Sequence, residues 1–318
     1  MTCEIEVDLT QLPHSEISGV LRFGAPVYLL VNPIEFHGPH LPLKNDHLLS
    51  LAVAREIHHN LCEKLKQDWP FVLAAPMHAG VGPVPGAGSV AVSYLALKKL
   101  VIETCRSLEK LGASRVVVMT FHGDPLHNLA LDAAVRDLHR RGIQAIAPFN
   151  ALMNELLMYR PGQLARGFEP VVDPSVRHQL EVNMTGDLHA GFFETSLMLH
   201  FWPECVSPTY RDLLPCPAHQ PSKVFSALSR IFLNLGFEKL AAELDLIAIG
   251  MAWLKLKECP GYTSSPHLAN AASGKAFAEE VVRLFSEASE LAFTEVGHSP
   301  EPILKWSTRV SLNGRVQL

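Results

Sequence analysis

The densest group of side chains capable of chemistry lies in residues 32–47, which read NPIEFHGPHLPLKNDH. Glu35 and His37 are two residues apart, so their side chains project to the same side of an extended segment. Asp46 follows at the predicted start of a helix, where free backbone N–H groups favour a carboxylate and where it can also face a cleft. Because carboxylate and imidazole together bind zinc, manganese or iron(II), this segment predicts a metal site.

Two further segments carry residues of the same types. In FHGDPLHN, residues 121–128, His122 and Asp124 are again two residues apart and follow a predicted strand. In GDLHAGFFETS, residues 186–196, His189 could act as a general acid or base or orient a substrate. Glu194, near the start of a predicted helix, could be a metal ligand or could orient a ligating histidine.

The elements that must position these residues alternate in the first half of the chain. We predict strands at residues 25–31, 71–75, 115–120 and 143–148. We predict helices at residues 46–66 and 94–111, and a third helix that ends at Gly142. This order predicts an α/β fold with a doubly wound, mostly parallel sheet flanked by helices. Ligands of such sheets gather at the carboxyl ends of the strands, so the first two segments should converge on one crevice.

A convergence of five such side chains has an energetic consequence. Without a cation, several buried polar groups would lack partners, at a cost of about 1–3 kcal/mol each. Two divalent ions would satisfy them, and a shared carboxylate could bridge the pair.

The second half of the sequence is less regular. We predict helices at residues 194–202, 223–243 and 271–292, and a short core segment at residues 246–253. Residues 159–183 have weak periodicity and predict an excursion over the surface. No repeat or convincing linker separates the parts, which predicts a single domain over residues 1–318.

Composition excludes several classes of protein. Of the 318 residues, 48% are hydrophobic and 19% are charged, and no apolar run is long enough for a membrane span. The net charge is -5 and the basic residues are scattered, which disfavours nucleic acid and anionic membranes as partners and favours a small-molecule substrate. The six cysteines form no Cys-x-x-Cys pair and the N-terminus does not resemble a signal peptide, so we expect a cytoplasmic protein.

With these motifs in view, the chain resembles the creatininase family. That family's signature is Glu-x-His-Gly-x-His-Leu-Pro-x-x-x-Asp, and the chain matches it with Glu35, His37, Gly38, His40, Leu41, Pro42 and Asp46. The family's His-Ala-Gly-Glu-x-Glu-Thr-Ser is present in part, from His189 to Ser196. Further similarity lies in PGAGS at residues 85–89 and in GYTSSPHLANAASGKA at residues 261–276, so the resemblance spans about residues 25–290.

The resemblance implies a metal-dependent hydrolase of small, non-peptide C–N bonds. It implies two divalent ions, zinc or manganese with iron as an alternative, with Asp46 as the bridge. The implied ligands are Glu35, His37, Asp46, His122 and Asp124, with Asp124 standing where creatininase itself has a metal-binding Glu. The resemblance also places His189 close to the substrate and implies a homo-oligomer, commonly a hexamer.

The departures from the family pattern keep other functions open. Phe192 stands where the family usually has the first Glu of its motif, and Thr120, Phe121 and Pro125 replace small polar residues around His122. The chain also carries extra sequence near residues 159–183 and 203–235. The alternatives are a non-catalytic or regulatory relative, and a lyase or isomerase that uses the same ions to stabilise an enolate.

Overall fold

A six-stranded sheet forms the centre of the structure, a computed structural model that describes residues 5–295 and 297–315. In chain order the strands are β1 (Glu6–Asp8), β2 (Val27–Asn32), β3 (Phe71–Leu73), β4 (Met77–His78), β5 (Arg115–Met119) and β6 (Gln144–Ile146). The main path runs β1-β3-β2-β5-β6, and β4 pairs with the carboxyl end of β2. These pairings are all parallel.

Helices connect and cover the strands. The first four are α1 (His14–Leu21), α2 (Asn45–Leu65), α3 (Tyr94–Lys110) and α4 (Pro125–Arg140). The next four are α5 (Phe149–Leu157), α6 (Ala165–Phe168), α7 (Pro174–Val182) and α8 (Phe192–Phe201). The last four are α9 (Lys223–Asn234), α10 (Glu238–Leu254), α11 (Ala271–Thr294) and α12 (Ser307–Val310).

The sheet is covered on both faces. Alternate residues of a strand point to opposite faces, and the two hydrophobic cores follow this alternation. Leu30 and Met119 pack with α2, α8 and α11, whereas Leu29 and Val118 pack with α3 and α4. The predicted α/β fold, a parallel sheet flanked by helices, is therefore confirmed.

Three predictions for the second half of the chain are wrong. The helix predicted at residues 223–243 is two helices, because Gly236 adopts φ +82 after α9 and ends it. The predicted core segment 246–253 belongs to α10. Residues 159–183 are not a purely surface excursion, because they contain α6 and α7 and bury Leu164 and Phe168 in the core.

The connections that matter for chemistry leave the sheet at one edge. Residues 33–44 follow β2, residues 79–93 follow β4, and residues 120–124 follow β5. Because these strands are parallel, all three segments meet at the carboxyl edge. As for membranes, none of the helices in the described part of the chain combines the length and the apolar character that crossing a bilayer requires.

Candidate metal centre

Six ionisable side chains are buried together at the carboxyl edge of the sheet. None of them is more than 9% exposed, although each is charged or polar: Glu35, His37, Asp46, His122, His189 and Glu194. Buried charges are costly unless they are paired or coordinate a metal. This cluster therefore calls for a specific electrostatic explanation.

The six residues form overlapping sets with the spacing of metal ligands. Glu35, Asp46 and His122 form one set, which we name the His122 set. His37, Asp46 and Glu194 form a second, the Glu194 set. A third combination, Glu35 with His37 and His189, overlaps both. Within each set the ligand atoms lie within 4.8 Å of one another, and Asp46 is shared by the first two sets.

The tautomers of the histidines show how the sets are oriented. His37 donates its Nδ1–H to the carbonyl oxygen of Glu35 at 3.0 Å, which leaves Nε2 facing Asp46 Oδ1 at 2.9 Å. His122 donates its Nε2–H to the carbonyl oxygen of Val81 at 2.8 Å, which leaves Nδ1 2.9 Å from Glu35 Oε2. Hydrogen bonds of this kind, from the outer ring nitrogen to a carbonyl, are typical of metal-ligating histidines.

A cation fits the space between these atoms. With the His122 proton on Nε2, Glu35 Oε2 and Asp46 Oδ2 are buried and accept no hydrogen bond from any described residue. A bare imidazole nitrogen that faces a carboxylate oxygen repels it, so either a second proton or a metal ion must lie between them. Mixed imidazole and carboxylate ligands suit zinc and manganese.

The pKa shifts show that the pocket favours positive charge at two of the histidines. Burial alone would lower the pKa of His37, but Asp46 raises it to about 9. Burial also opposes protonation of His122, yet Glu35 and Asp46 hold its pKa well above the ordinary value. The same field that would stabilise imidazolium would stabilise a bound cation.

His189 and Glu194 are shifted toward their neutral forms. Burial and the neighbouring His37 lower the pKa of His189 to about 4. Its Nε2–H donates to the carbonyl oxygen of Phe36 at 2.9 Å, and its Nδ1 lies 3.9 Å from Glu35 Oε1. Burial raises the pKa of Glu194 to about 8. His189 is therefore a neutral imidazole with an unprotonated Nδ1 at neutral pH.

A tight turn ahead of α8 positions both residues. Ala190 adopts φ +46, and its N–H donates to the Glu194 carboxylate. Asp187 accepts the N–H of Phe193 at 2.9 Å, and the Thr263 hydroxyl accepts the N–H of His189 at 3.1 Å. The turn is thus fixed by its own polar groups and by one residue from the C-terminal part of the chain.

The sequence of the whole chain has a clear family assignment. The sequence model of the Creatininase family, described as creatinine amidohydrolase, matches residues 11–289. The chain belongs to the creatininase family. It is 32% identical over 200 residues to the mycofactocin precursor peptide peptidase of Mycobacterium ulcerans, covering 62% of this chain and 63% of that protein, less than two thirds of its length. It is 29% identical over 203 residues to the creatinine amidohydrolase of Pseudomonas putida, covering 62% of this chain and 72% of that one.

Solved creatininase structures share the fold. A crystal structure of creatinine amidohydrolase aligns with a TM-score of 0.56 at 21% identity and covers 89% of this chain and 96% of its own. A structure described as creatininase Mn aligns with a TM-score of 0.54 at 22% identity and covers 89% and 97%.

The position of Asp46 in α2 differs from the sequence prediction, which placed it at the start of the helix. It does not cap α2, whose N-cap residue is Lys44 without a side-chain cap bond. Asp46 lies in the first turn, and its carboxylate faces His37 and His122 instead. The helix start therefore fixes the backbone of Asp46 while both carboxylate oxygens serve the cluster.

Asp124 lies beside the cluster and outside its sets. One carboxylate oxygen accepts the N–H of His127 at 2.8 Å and caps α4. The other lies against Gly82, where an added Cβ would collide with it. Among the residues that the structure describes, Asp124 belongs to none of the three ligand sets, whereas Glu194 belongs to one.

Phe192 occupies a core position. Its ring is fully buried, stacks on Phe168 with centroids 5.9 Å apart, and meets Phe277 edge-on at 5.8 Å. The side chain at this position takes no part in the cluster, so the missing family Glu leaves the two ligand sets intact. Phe121 similarly packs on Phe149, and Pro125 begins α4.

Two residues that orient the metal ligands, Val81 and Val84, could not be identified from their side chains, because both act through backbone atoms. The N–H of Val84 donates to Glu35 Oε1 at 2.6 Å, and the carbonyl oxygen of Val81 accepts from His122. Aliphatic side chains carry no chemical signature of such roles. Only the Gly- and Pro-rich character of their loop hinted at a special backbone path.

Proposed function

We propose that this creatininase-family chain is a metal-dependent amidohydrolase that hydrolyses a C–N bond of a small amide. The observation that carries the proposal is the pair of ligand sets sharing Asp46, with histidine nitrogens turned toward buried carboxylate oxygens. Creatininase structures described as Mn and as Zn-Zn types support zinc or manganese as the ions.

The His122 set and the Glu194 set would each hold one divalent ion. Asp46 would serve both, because it belongs to both sets. Ions bound there would supply a water of lowered pKa and would polarise the scissile carbonyl.

The remaining chemistry falls to His189. Its Nε2–H is fixed on the Phe36 carbonyl, so Nδ1 is the atom that can accept a proton and return it to the leaving nitrogen. The ring also packs against those of His37 and Trp253, with centroid distances of 4.1 and 5.7 Å. The hydrogen bond to Phe36 and this packing together hold the ring in place.

The deep burial of the cluster supports a small substrate. A second candidate is cleavage of a peptide bond near a chain end, which the similarity to the mycobacterial peptidase favours. We also propose the homo-oligomeric state, with a hexamer expected, and the cytoplasmic location, which gel filtration of the purified protein and cell fractionation would test.

The experiment combines metal analysis with a substrate panel. Purified protein should contain up to two divalent ions per chain, and chelation should abolish turnover until zinc or manganese is restored. The panel would contain creatinine, small formamides and short peptides, in water labelled with heavy oxygen. Hydrolysis places the label in the acid product, whereas a lyase or isomerase does not. Full activity of metal-free protein would overturn the proposal, and metal binding without turnover of any substrate would favour a non-catalytic relative.

A further inference from the structure

The backbone of one loop forms hydrogen bonds with two ligands of the His122 set, Glu35 and His122. Residues 80–89, GVGPVPGAGS, form this 80–89 loop. Val84 N–H donates to Glu35 Oε1 and thereby leaves Oε2 to face His122 Nδ1. Val81 O accepts from His122 Nε2 and thereby turns Nδ1 inward. The loop thus selects which oxygen of Glu35 and which nitrogen of His122 are available.

A single side chain holds the 80–89 loop against the ligand segment. The Ser89 hydroxyl donates to the carbonyl oxygen of Val84 at 2.6 Å and accepts the N–H of Phe36 at 2.9 Å. It therefore joins the residue that holds Glu35 to the residue next to Glu35 in the chain. Backbone bonds from Val90 to Ile34 and from Val92 to Gly80, both at 2.9 Å, close the base of the loop.

Two glycines of the same loop bring its backbone into close contact with neighbouring side chains. Gly82 adopts φ +62 and lies against the Asp124 carboxylate, and Gly86 lies against the Phe36 ring. A Cβ at either position would collide with those side chains. The 80–89 loop therefore has little freedom to move away from Glu35 and His122.

The Glu194 set lacks this support. The outer hydrogen bonds of His37 and Glu194 go to Glu35 O and Ala190 N, which are two and four residues away in the chain. Both bonds are local. The 80–89 loop meets the outer partner of His37 only indirectly, because Ser89 accepts the Phe36 N–H, which shares a peptide group with the Glu35 carbonyl. The loop bonds directly to both Glu35 and His122, so a disturbance of the loop should affect the His122 set more strongly than the Glu194 set.

We propose that the 80–89 loop is a strap whose Ser89 side chain fixes Glu35 and His122, and so sets the affinity of the His122 set for a divalent ion separately from that of the Glu194 set. Ser89 is a positioning residue, because it acts through the backbone of Val84 and Phe36. The proposal rests on the proposed function, since it requires that the two sets bind ions. Loss of an outer partner of a metal ligand typically costs about 10–100-fold in metal affinity.

The test measures zinc binding to metal-free protein by competition with a chromophoric chelator. Wild type should bind two ions in two steps. Ser89→Ala should weaken one step about 10–100-fold and leave the other within about threefold. The weakened step should be the one that His122→Ala removes and Glu194→Gln retains. Ser89→Thr, which keeps the hydroxyl, should restore the affinity.

Ser107→Ala is the matched control, because Ser107 also donates to a backbone carbonyl, that of Glu103, but on the exposed face of α3. It should leave both steps unchanged. Gly82→Ala disturbs the strap by a second route and should reproduce the selective loss if Ser89→Ala does not fold. Equal weakening of both steps, or wild-type binding by both loop variants, would overturn the strap. Failure of wild type to bind any ion would instead overturn the metal centre on which the proposed function depends.

Discussion

The two ligand sets that share Asp46 are built in different ways. The His122 set takes its ligands from segments that follow the parallel strands β2 and β5, and a third segment, the 80–89 loop, braces them. The Glu194 set adds a residue from α8, in the less regular half of the chain, and its outer hydrogen bonds are local. One set is thus held by the sheet edge and the other by a strained turn.

This difference separates two sources of precision. The carboxyl edge of a parallel sheet brings distant segments together through its topology, so the His122 set follows from the strand order. The turn before α8 depends on a few particular groups, among them Ala190 at positive φ and the buried Asp187 carboxylate. We expect substitutions to affect the two sets unequally, except at the residue that they share.

Substitution of the shared carboxylate should have the largest effect. Asp46→Asn removes a charge from both sets, so we expect the affinity for both ions to fall further than the roughly 100-fold that loss of an outer partner can cost. Chelator competition and elemental analysis would measure the loss. If one ion were retained at full affinity, Asp46 would belong to one set alone.

Removal of Glu194 should separate the two sets. Glu194→Gln should reduce the bound ions from two to one per chain, because it removes the carboxyl ligand that belongs to the Glu194 set only. Asp124→Asn is the matched control and should retain both ions, since asparagine caps a helix about as well as aspartate. Loss of an ion from Asp124→Asn, with none lost from Glu194→Gln, would make Asp124 the ligand.

The pH dependence of the free energy of unfolding should show the effect of Asp187, which lies in the turn before α8. Burial raises the pKa of Asp187 to about 7, from an ordinary value of 3.8. A raised carboxyl pKa supplies stability that is fully present below the unfolded value and is lost as the pH rises through the folded value. Metal-free Asp187→Asn should therefore gain stability relative to wild type between about pH 4 and pH 7, on the order of 4 kcal/mol.

Urea unfolding of both proteins at several pH values would measure this difference. The amide of the Asp187→Asn variant would keep an acceptor for the Phe193 N–H without the charge. A constant difference between the two proteins across that pH range would show that Asp187 titrates normally.

The smallest effect is expected away from both sets. Phe192→Leu should lower the free energy of unfolding by about 1 kcal/mol, because it loosens the packing with Phe168 and Phe277. Both ions should still bind with wild-type affinity. A change in either binding step would place this position in the metal centre after all.

The residues at the carboxyl edge of the sheet were predicted from the sequence more accurately than those of the turn before α8. Buried β-branched strands and capped helices indicated the parallel sheet, and the spacing of Glu35, His37 and Asp46 indicated that they meet. The sequence paired Asp124 with His122, and in the structure His122 joins a ligand set while Asp124 accepts the His127 N–H and caps α4. The spacing of two residues does not account for this difference, because Glu35 and His37 also lie in a loop, after β2 ends at Asn32.

The remaining features depend on tertiary contacts. The break at Gly236 and the burial of Leu164 and Phe168 were missed because weak periodicity does not reveal which neighbour covers a segment. The roles of Val81 and Val84 belong to backbone atoms, which every residue type carries. Sequence patterns identify reactive side chains more readily than the groups that orient them.

The proposed function requires two divalent ions, one on each side of Asp46. Anomalous diffraction from crystals soaked separately in zinc and in manganese would test it most directly. We predict two peaks, one bound by Glu35, Asp46 and His122 and the other by His37, Asp46 and Glu194, at about 2.0–2.2 Å from the ligand atoms for zinc. Well-ordered side chains at the cluster with no anomalous peak among them would rule out the two-ion centre.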